Sequence, residues 1–202
     1  MKITDIKQQV KRAGRYSIYV DDKYSFSLSE NELLTIGLRI GQEFDQVEFK
    51  AVQARAVEDK GYMRSLDLLA RRPRSVWEME QYLKRKGYEH NVIVSLLNKL
   101  SNRGLLDDKK FAESWVSNRR LLKNVSKRRL LQELQQKKIS AQIISEVLNE
   151  DETDEQVVLK TLVEKKRSQS RYQDEQKLTA YLLRQGFNYQ DIKQVITESI
   201  DQ

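Results

Sequence analysis

No cysteine occurs in the 202 residues, so disulfides and thiolate chemistry are excluded. One histidine, His90, is present, too few for a histidine-based metal site. One proline and seven glycines leave little room for long loops. No apolar run approaches the roughly 18–20 residues needed to cross a bilayer, and Met1-Lys2-Ile3 does not open a signal peptide, so a cytoplasmic protein without membrane contact is expected. No phosphate-binding loop, nucleophile motif or zinc spacing appears. The sequence therefore gives no reason to expect an enzyme, a metal or a cofactor.

What is present is charge and short amphipathic periodicity. Charged residues make up 33% of the chain and apolar ones 39%, a mix that suits many short helices around thin cores. The net charge of +7 is uneven. Residues 1–60 carry ten basic and ten acidic side chains, 61–107 nine and five, 108–149 ten and four, and 150–202 eight and eleven. A basic middle implies a polyanion or an acidic protein surface as partner.

The first 45 residues read as a small α+β module. Tyr16, Ile18 and Val20, then Tyr24, Phe26 and Leu28, alternate on either side of Asp21-Asp22-Lys23, which predicts a hairpin with each trio on one face. Ile3–Lys7 is a candidate third strand, and Arg39-Ile40-Gly41 a candidate last short one. Ser29-Glu-Asn-Glu32 has the form of a capping box opening a helix through Leu33, Leu34 and Ile36 to Gly37. From Asp45 onward the pattern is helical, with Gly61 as a possible break in the run from Gln46 to Arg71.

An internal repeat organises the remainder. With Gly87, Lys138 and Gly186 taken as equivalent, the same residue classes recur. Twelve positions earlier stand the capping types Ser75, Ser126 and Asp174. Eight earlier are Met79, Leu130 and Leu178; four earlier, Leu83, Leu134 and Leu182; one later, Tyr88, Ile139 and Phe187; six later, Ile93, Ile144 and Ile192. All sit at helical offsets, and an amphipathic segment precedes each block. The expected fold is mainly α: a module over 1–45, then three tandem three-helix repeats over 46–107, 108–149 and 150–202, the last opening on an acidic linker, in an elongated curved array. Lys138 stands where the other repeats have glycine and is expected to strain or lengthen its turn.

Three-helix units invite a helix-turn-helix reading. The third helices argue against base readout, since they carry Glu146, Glu150, Asp191 and Glu198 rather than the Arg, Lys, Asn or Gln that reach base edges. Cations gather on first-helix ends and second helices: Arg71, Arg72, Arg74, Lys84, Arg85 and Lys86; Arg119, Arg120, Lys123, Lys127, Arg128 and Arg129; then Lys137, Lys138, Lys165, Lys166, Arg167 and Arg171. The first twelve are the candidate partner-binding residues. Trp115 is expected to pack between helices, whereas Trp77 suits packing or stacking equally. Asp107-Asp108 reads as a helix cap rather than a metal or catalytic pair, and His90 as a solvated first-turn residue.

The stretch LDLLARRPRSVWEMEQYLKRKG, followed by VSLLNKLSNRGLLDDKKFAESWVSNR, resembles the RecX family, bacterial regulators of the RecA recombinase. The resemblance is most specific from Leu66 to Arg120. It implies a monomeric protein that binds RecA filaments on single-stranded DNA and inhibits their ATP hydrolysis, growth and strand exchange. Direct contact with single-stranded DNA is a further implication of the resemblance. The alternative from the residues alone is a DNA-binding protein holding phosphates through its basic central modules.

Overall fold

The structure is a computed structural model and describes residues 1–198; the last four positions of the segment expected over 150–202 lie outside them. Three strands, β1 (Ile3–Gln8), β2 (Arg15–Val20) and β3 (Lys23–Ser29), form an antiparallel sheet in sequential order. Ten helices follow: α1 (Glu30–Ile36), α2 (Gln46–Leu69), α3 (Val76–Arg85), α4 (His90–Asn102), α5 (Asp108–Lys123), α6 (Lys127–Gln136), α7 (Ala141–Glu150), α8 (Glu155–Arg167), α9 (Glu175–Arg184) and α10 (Tyr189–Glu198). A 3₁₀ turn spans Ser170–Tyr172. No described helix is long and apolar enough to cross a membrane. The chain divides into two compact units, Met1–Pro73 with Met79–Leu106, and Arg74–Glu78 with the chain from Asp107 onward.

In the first unit, Asp21 and Asp22 both take positive φ, 48° and 62°, as a two-residue hairpin turn requires. The register shifts between Ile18 and Tyr19, so that Ile18 faces Phe26 while Tyr19 faces Tyr24. This bulge corrects the period-two expectation. Tyr24 leaves the face of Phe26 and Leu28 and meets Tyr19 edge-on at 6.1 Å, mostly exposed. The expected strand at Arg39-Ile40-Gly41 does not form; an isolated bridge joins Lys2 to Glu43 instead. Ser29 caps α1 by accepting from the Glu32 amide, and the Glu32 carboxylate pairs with Arg55 of α2 at 2.7 Å.

Helix α2 serves two cores. Val52 and Ala56 join Ile3, Ile18, Val20 and Leu28 beneath the sheet. A sheet this small needs such a cover. Asp45 opens the helix with a full capping box to Glu48. Gly61 does not break it, contrary to expectation. It is buried inside a continuous helix of 24 residues, and a Cβ placed there would lie 2.6 Å from Leu96 Cδ1 and 3.2 Å from the Tyr88 ring. The glycine is used for close approach of α4, not for its backbone freedom. Met79, Leu83, Ile93, Leu96 and Leu100 are buried there, as the repeat pattern requires.

The second unit holds two further three-helix cores. Phe111, Ala112, Leu130, Leu134, Ile144 and Val147 form one, and Leu159, Leu162, Leu178, Leu182, Ile192 and Val195 the other. The repeat positions found in the sequence are the buried ones in both. Lys138 adopts φ 58°, so it takes the left-handed turn that Gly186 takes at φ 91°. The turn is strained, as expected, but not lengthened.

Candidate interaction surface

The second unit is assembled by a hydrogen-bonded joint that occurs twice. Ser126 caps α6 by accepting from the Arg129 amide at 3.1 Å, and its hydroxyl donates to the Gln185 carbonyl at 3.0 Å. Fifty-one residues earlier, Ser75 accepts from the Glu78 amide at 3.2 Å and donates to the Lys137 carbonyl at 3.1 Å. Beside each serine, a first-turn amide meets a carboxylate: Val76 N–H donates to Asp108 at 2.9 Å and Lys127 N–H to Glu155 at 2.8 Å. A helix N-terminus leaves its first amides without intrahelical partners; here the next repeat supplies acceptors. Gly186 fits because a Cβ there would strike the Ser126 hydroxyl and Arg129.

Asp107 and Asp108 divide the work at the start of α5. Asp107 caps the helix by accepting from the Lys109 and Lys110 amides, as expected of a capping pair. Asp108 accepts from Val76, and burial pushes its carboxyl above the usual range, opposed by that amide and reinforced by Asp107. A carboxyl raised in the folded state favours the protonated fold, so its contribution to stability falls as pH rises above about 4. Asp108→Asn keeps an acceptor without the charge and is expected to melt at the same temperature or higher. Asp108→Ala loses the acceptor and is expected to cost about 1 kcal/mol. Thermal unfolding of both variants at neutral pH checks this.

The structure sorts the twelve predicted cations rather than gathering them. Arg71 and Arg72 follow α2 in the first unit and are exposed, whereas Arg74 is half-buried and belongs to the second. Lys84 pairs with Glu80 at 2.7 Å, Arg85 is exposed, and Lys86 lies 5.7 Å from the Tyr82 ring centre. Arg119 pairs with Glu133 at 2.8 Å and stacks 4.7 Å over Trp115. Arg129 meets the same Glu133 at 3.2 Å. Lys123 and Arg128 are exposed and Lys127 half-buried.

Arg120 is held within the second unit by acidic partners. Its side chain is 9% exposed, pairs with Asp151 and Glu155, each at 2.7 Å, and donates to the Val125 carbonyl at 2.6 Å. The acidic stretch expected as a linker thus also helps to seat the third repeat on the second. Asp151 and Glu155 are the partners of Arg120; an acidic run following a basic helix end is the signal in the sequence that points to them.

Trp115 packs beside Phe111 at 5.7 Å and donates from Nε1 to Glu133 at 2.9 Å, so it belongs to the second repeat's core edge. Trp77 is half-buried, and His90 is exposed at the start of α4. No group of three or more His, Asp or Glu able to hold a metal ion occurs among the described residues. The arrangement offers shaped, charged surfaces for binding.

Sheet module, repeat cores and repeated joints define a tandem three-helix repeat protein. Comparison with known families places each part. Models for the regulatory protein RecX N-terminal domain and for the first, second and third RecX three-helix domains match residues 1–45, 62–100, 107–148 and 153–196. The chain is 33% identical over 205 residues to a regulatory protein RecX of Bacillus subtilis strain 168, covering 99% of this chain and 76% of that protein. It is 30% identical to the regulatory protein RecX of Bacillus licheniformis, covering 98% and 77%. A crystal structure of regulatory protein RecX superposes with a TM-score of 0.71 at 29% identity, covering 97% of this chain and 98% of that one. RecX from Lactobacillus salivarius matches over 70% of this chain and 95% of its own, with a TM-score of 0.57 at 28% identity. The chain belongs to the RecX family of regulatory proteins.

Proposed function

We propose that this protein binds the RecA recombinase assembled on single-stranded DNA and restrains its ATP hydrolysis, filament growth and strand exchange. It acts in the cytoplasm by contact, without chemistry of its own. The observation that carries this reading is the domain-by-domain match to a family of regulatory proteins along nearly the whole chain. The physical design supports it. Covalently linked modules turn several weak contacts into one strong attachment through effective concentration. A filament of identical protomers offers repeated sites to such a chain. Of the predicted cations, Arg71, Arg72, Lys84, Arg85, Lys86, Lys123 and Arg128 are exposed; Arg71, Arg72, Arg85, Lys123 and Arg128 are assigned to contact, and Arg120 to the joint.

The second reading, direct binding to single-stranded DNA, is favoured by those same exposed cations. Salt separates the two. Phosphate neutralisation loses affinity steeply with salt, in proportion to the charges displaced.

The test is RecA ATPase on single-stranded DNA with increasing amounts of this protein. Hydrolysis is expected to fall and to saturate at a fixed ratio to recombinase protomers. Full hydrolysis at saturating protein contradicts the reading. Arg71→Glu with Arg72→Glu is expected to weaken inhibition several-fold, and unchanged inhibition would make that pair structural.

A further inference from the structure

An open groove of about 660 Å³ runs between α6 and α7 of the second repeat. Leu131, Ile139 and Ile144 give it an aliphatic wall, and Lys127, Arg128 and Lys138 stand around it. No acidic and no aromatic residue lines it. Leu131 is 38% exposed, an apolar side chain left at the lip. The side chains of the three cations have no ion pair or hydrogen-bond partner among the described residues.

The repeats serve as internal controls for what the fold itself needs. At the positions of Lys127, Arg128 and Lys138, the first repeat has Val76, Trp77 and Gly87, and the third has Glu175, Gln176 and Gly186. At the position of Leu131 they have Glu80 and Thr179. The same three-helix core therefore forms without any of these four residues. Lys138 also carries a conformational cost. Its φ of 58° lies in the left-handed region that penalises any residue with a Cβ, and both equivalent positions are glycine. A residue held in an unfavourable conformation that a glycine would relieve points to a use for its side chain.

We infer that this groove is a docking site for an acidic protein segment, a helix face or strand bearing aliphatic side chains flanked by carboxylates, on the surface of the recombinase filament. The inference rests on the functional reading above. Charge complementarity selects the acidic partner, and the aliphatic wall selects a protein. A peptide helix buries its apolar face in such a groove. Single-stranded nucleic acid stacks its bases on aromatic side chains, which this groove lacks, and a phosphate chain gains nothing from Leu131.

Two variants test it, Lys138→Gly and Leu131→Glu, each titrated against RecA filament on single-stranded DNA and against the same strand without RecA. Lys138→Gly is expected to melt about 2 °C or more above the wild type, because the turn is relieved, yet to bind the filament roughly three- to tenfold more weakly. Leu131→Glu is expected to weaken filament binding about tenfold or more at unchanged affinity for the naked strand. Full filament affinity in both variants overturns the inference, as does a Lys138→Gly variant that melts lower. Equal losses on the naked strand overturn it in favour of a phosphate track. Wild-type protein that fails to bind the filament overturns the functional reading, a result seen without any variant.

Discussion

Replacing Asp59 with alanine is expected to lower the free energy of unfolding by about 3–5 kcal/mol, the usual cost of stranding one partner of a buried ion pair. The Asp59 side chain is 4% exposed and that of Arg15 9%, with 3.4 Å between Nη1 and Oδ2. The carboxylate also accepts from the Ser29 amide at 2.8 Å and from the Ser29 hydroxyl, while Arg15 donates to the hydroxyl and carbonyl of Ser27, each at 3.0 Å. One α2 residue thus ties strands β2 and β3 and the cap of α1 to the long helix. Removing it leaves a largely buried guanidinium with Ser27 as its remaining acceptor among the described residues. Urea unfolding followed by circular dichroism reads the loss. The double variant Arg15→Met with Asp59→Leu is expected to lose less than Asp59→Ala alone, since neither charge is then stranded. A loss below about 1 kcal/mol for Asp59→Ala would show the pair to be solvated.

Replacing Arg120 with alanine is expected to cost a similar amount, about 3–5 kcal/mol, and to act on the seating of the third repeat. Asp151 is only 8% exposed in its side chain. Burial works against its charge, yet hydrogen bonds from Thr153 and Arg120 and the guanidinium charge outweigh it, so its carboxyl lies below the usual range. A depressed carboxyl contributes stability above its unfolded pKa of about 3.9, and that contribution is lost as pH falls through the lower folded value. In Arg120→Ala the burial remains and the cation is gone, so this acid-side loss is expected to shrink. Unfolding curves between neutral pH and about pH 3 show both effects. The same variant is expected to weaken RecA inhibition more than Lys123→Ala does, although Arg120 is buried, because linked weak contacts depend on module geometry. Equal inhibition by Arg120→Ala and wild type would mean that the joint does not matter for binding.

The repeat was legible because burial recurs. Met79, Leu130 and Leu178, and Ile93, Ile144 and Ile192, are buried in all three cores, and helical offsets alone pick them out. The capping serines were legible as caps but not as joints. A hydroxyl that accepts from its own helix and donates to a carbonyl about sixty residues away looks, in sequence, like any other N-cap. Tyr24 was misplaced because a bulge shifts the register without a glycine or proline to mark it. Gly61 was misread because close packing and helix breaking ask for the same residue. The cations were the least legible part of the site. Charge identifies Arg119, Arg120, Lys123 and Arg128 as equals, and only the fold shows that one is buried between two carboxylates, one lies over a tryptophan and two are exposed.

On the proposed function, the chain engages a protein filament rather than a bare strand. Equilibrium binding to a preassembled RecA filament, compared with binding to the same single strand without RecA and repeated from low to high salt, tests it most directly. The expected result is tight filament binding that declines gently with salt, together with weak strand binding that declines steeply. Equal affinity and equal salt dependence for the two targets would contradict it.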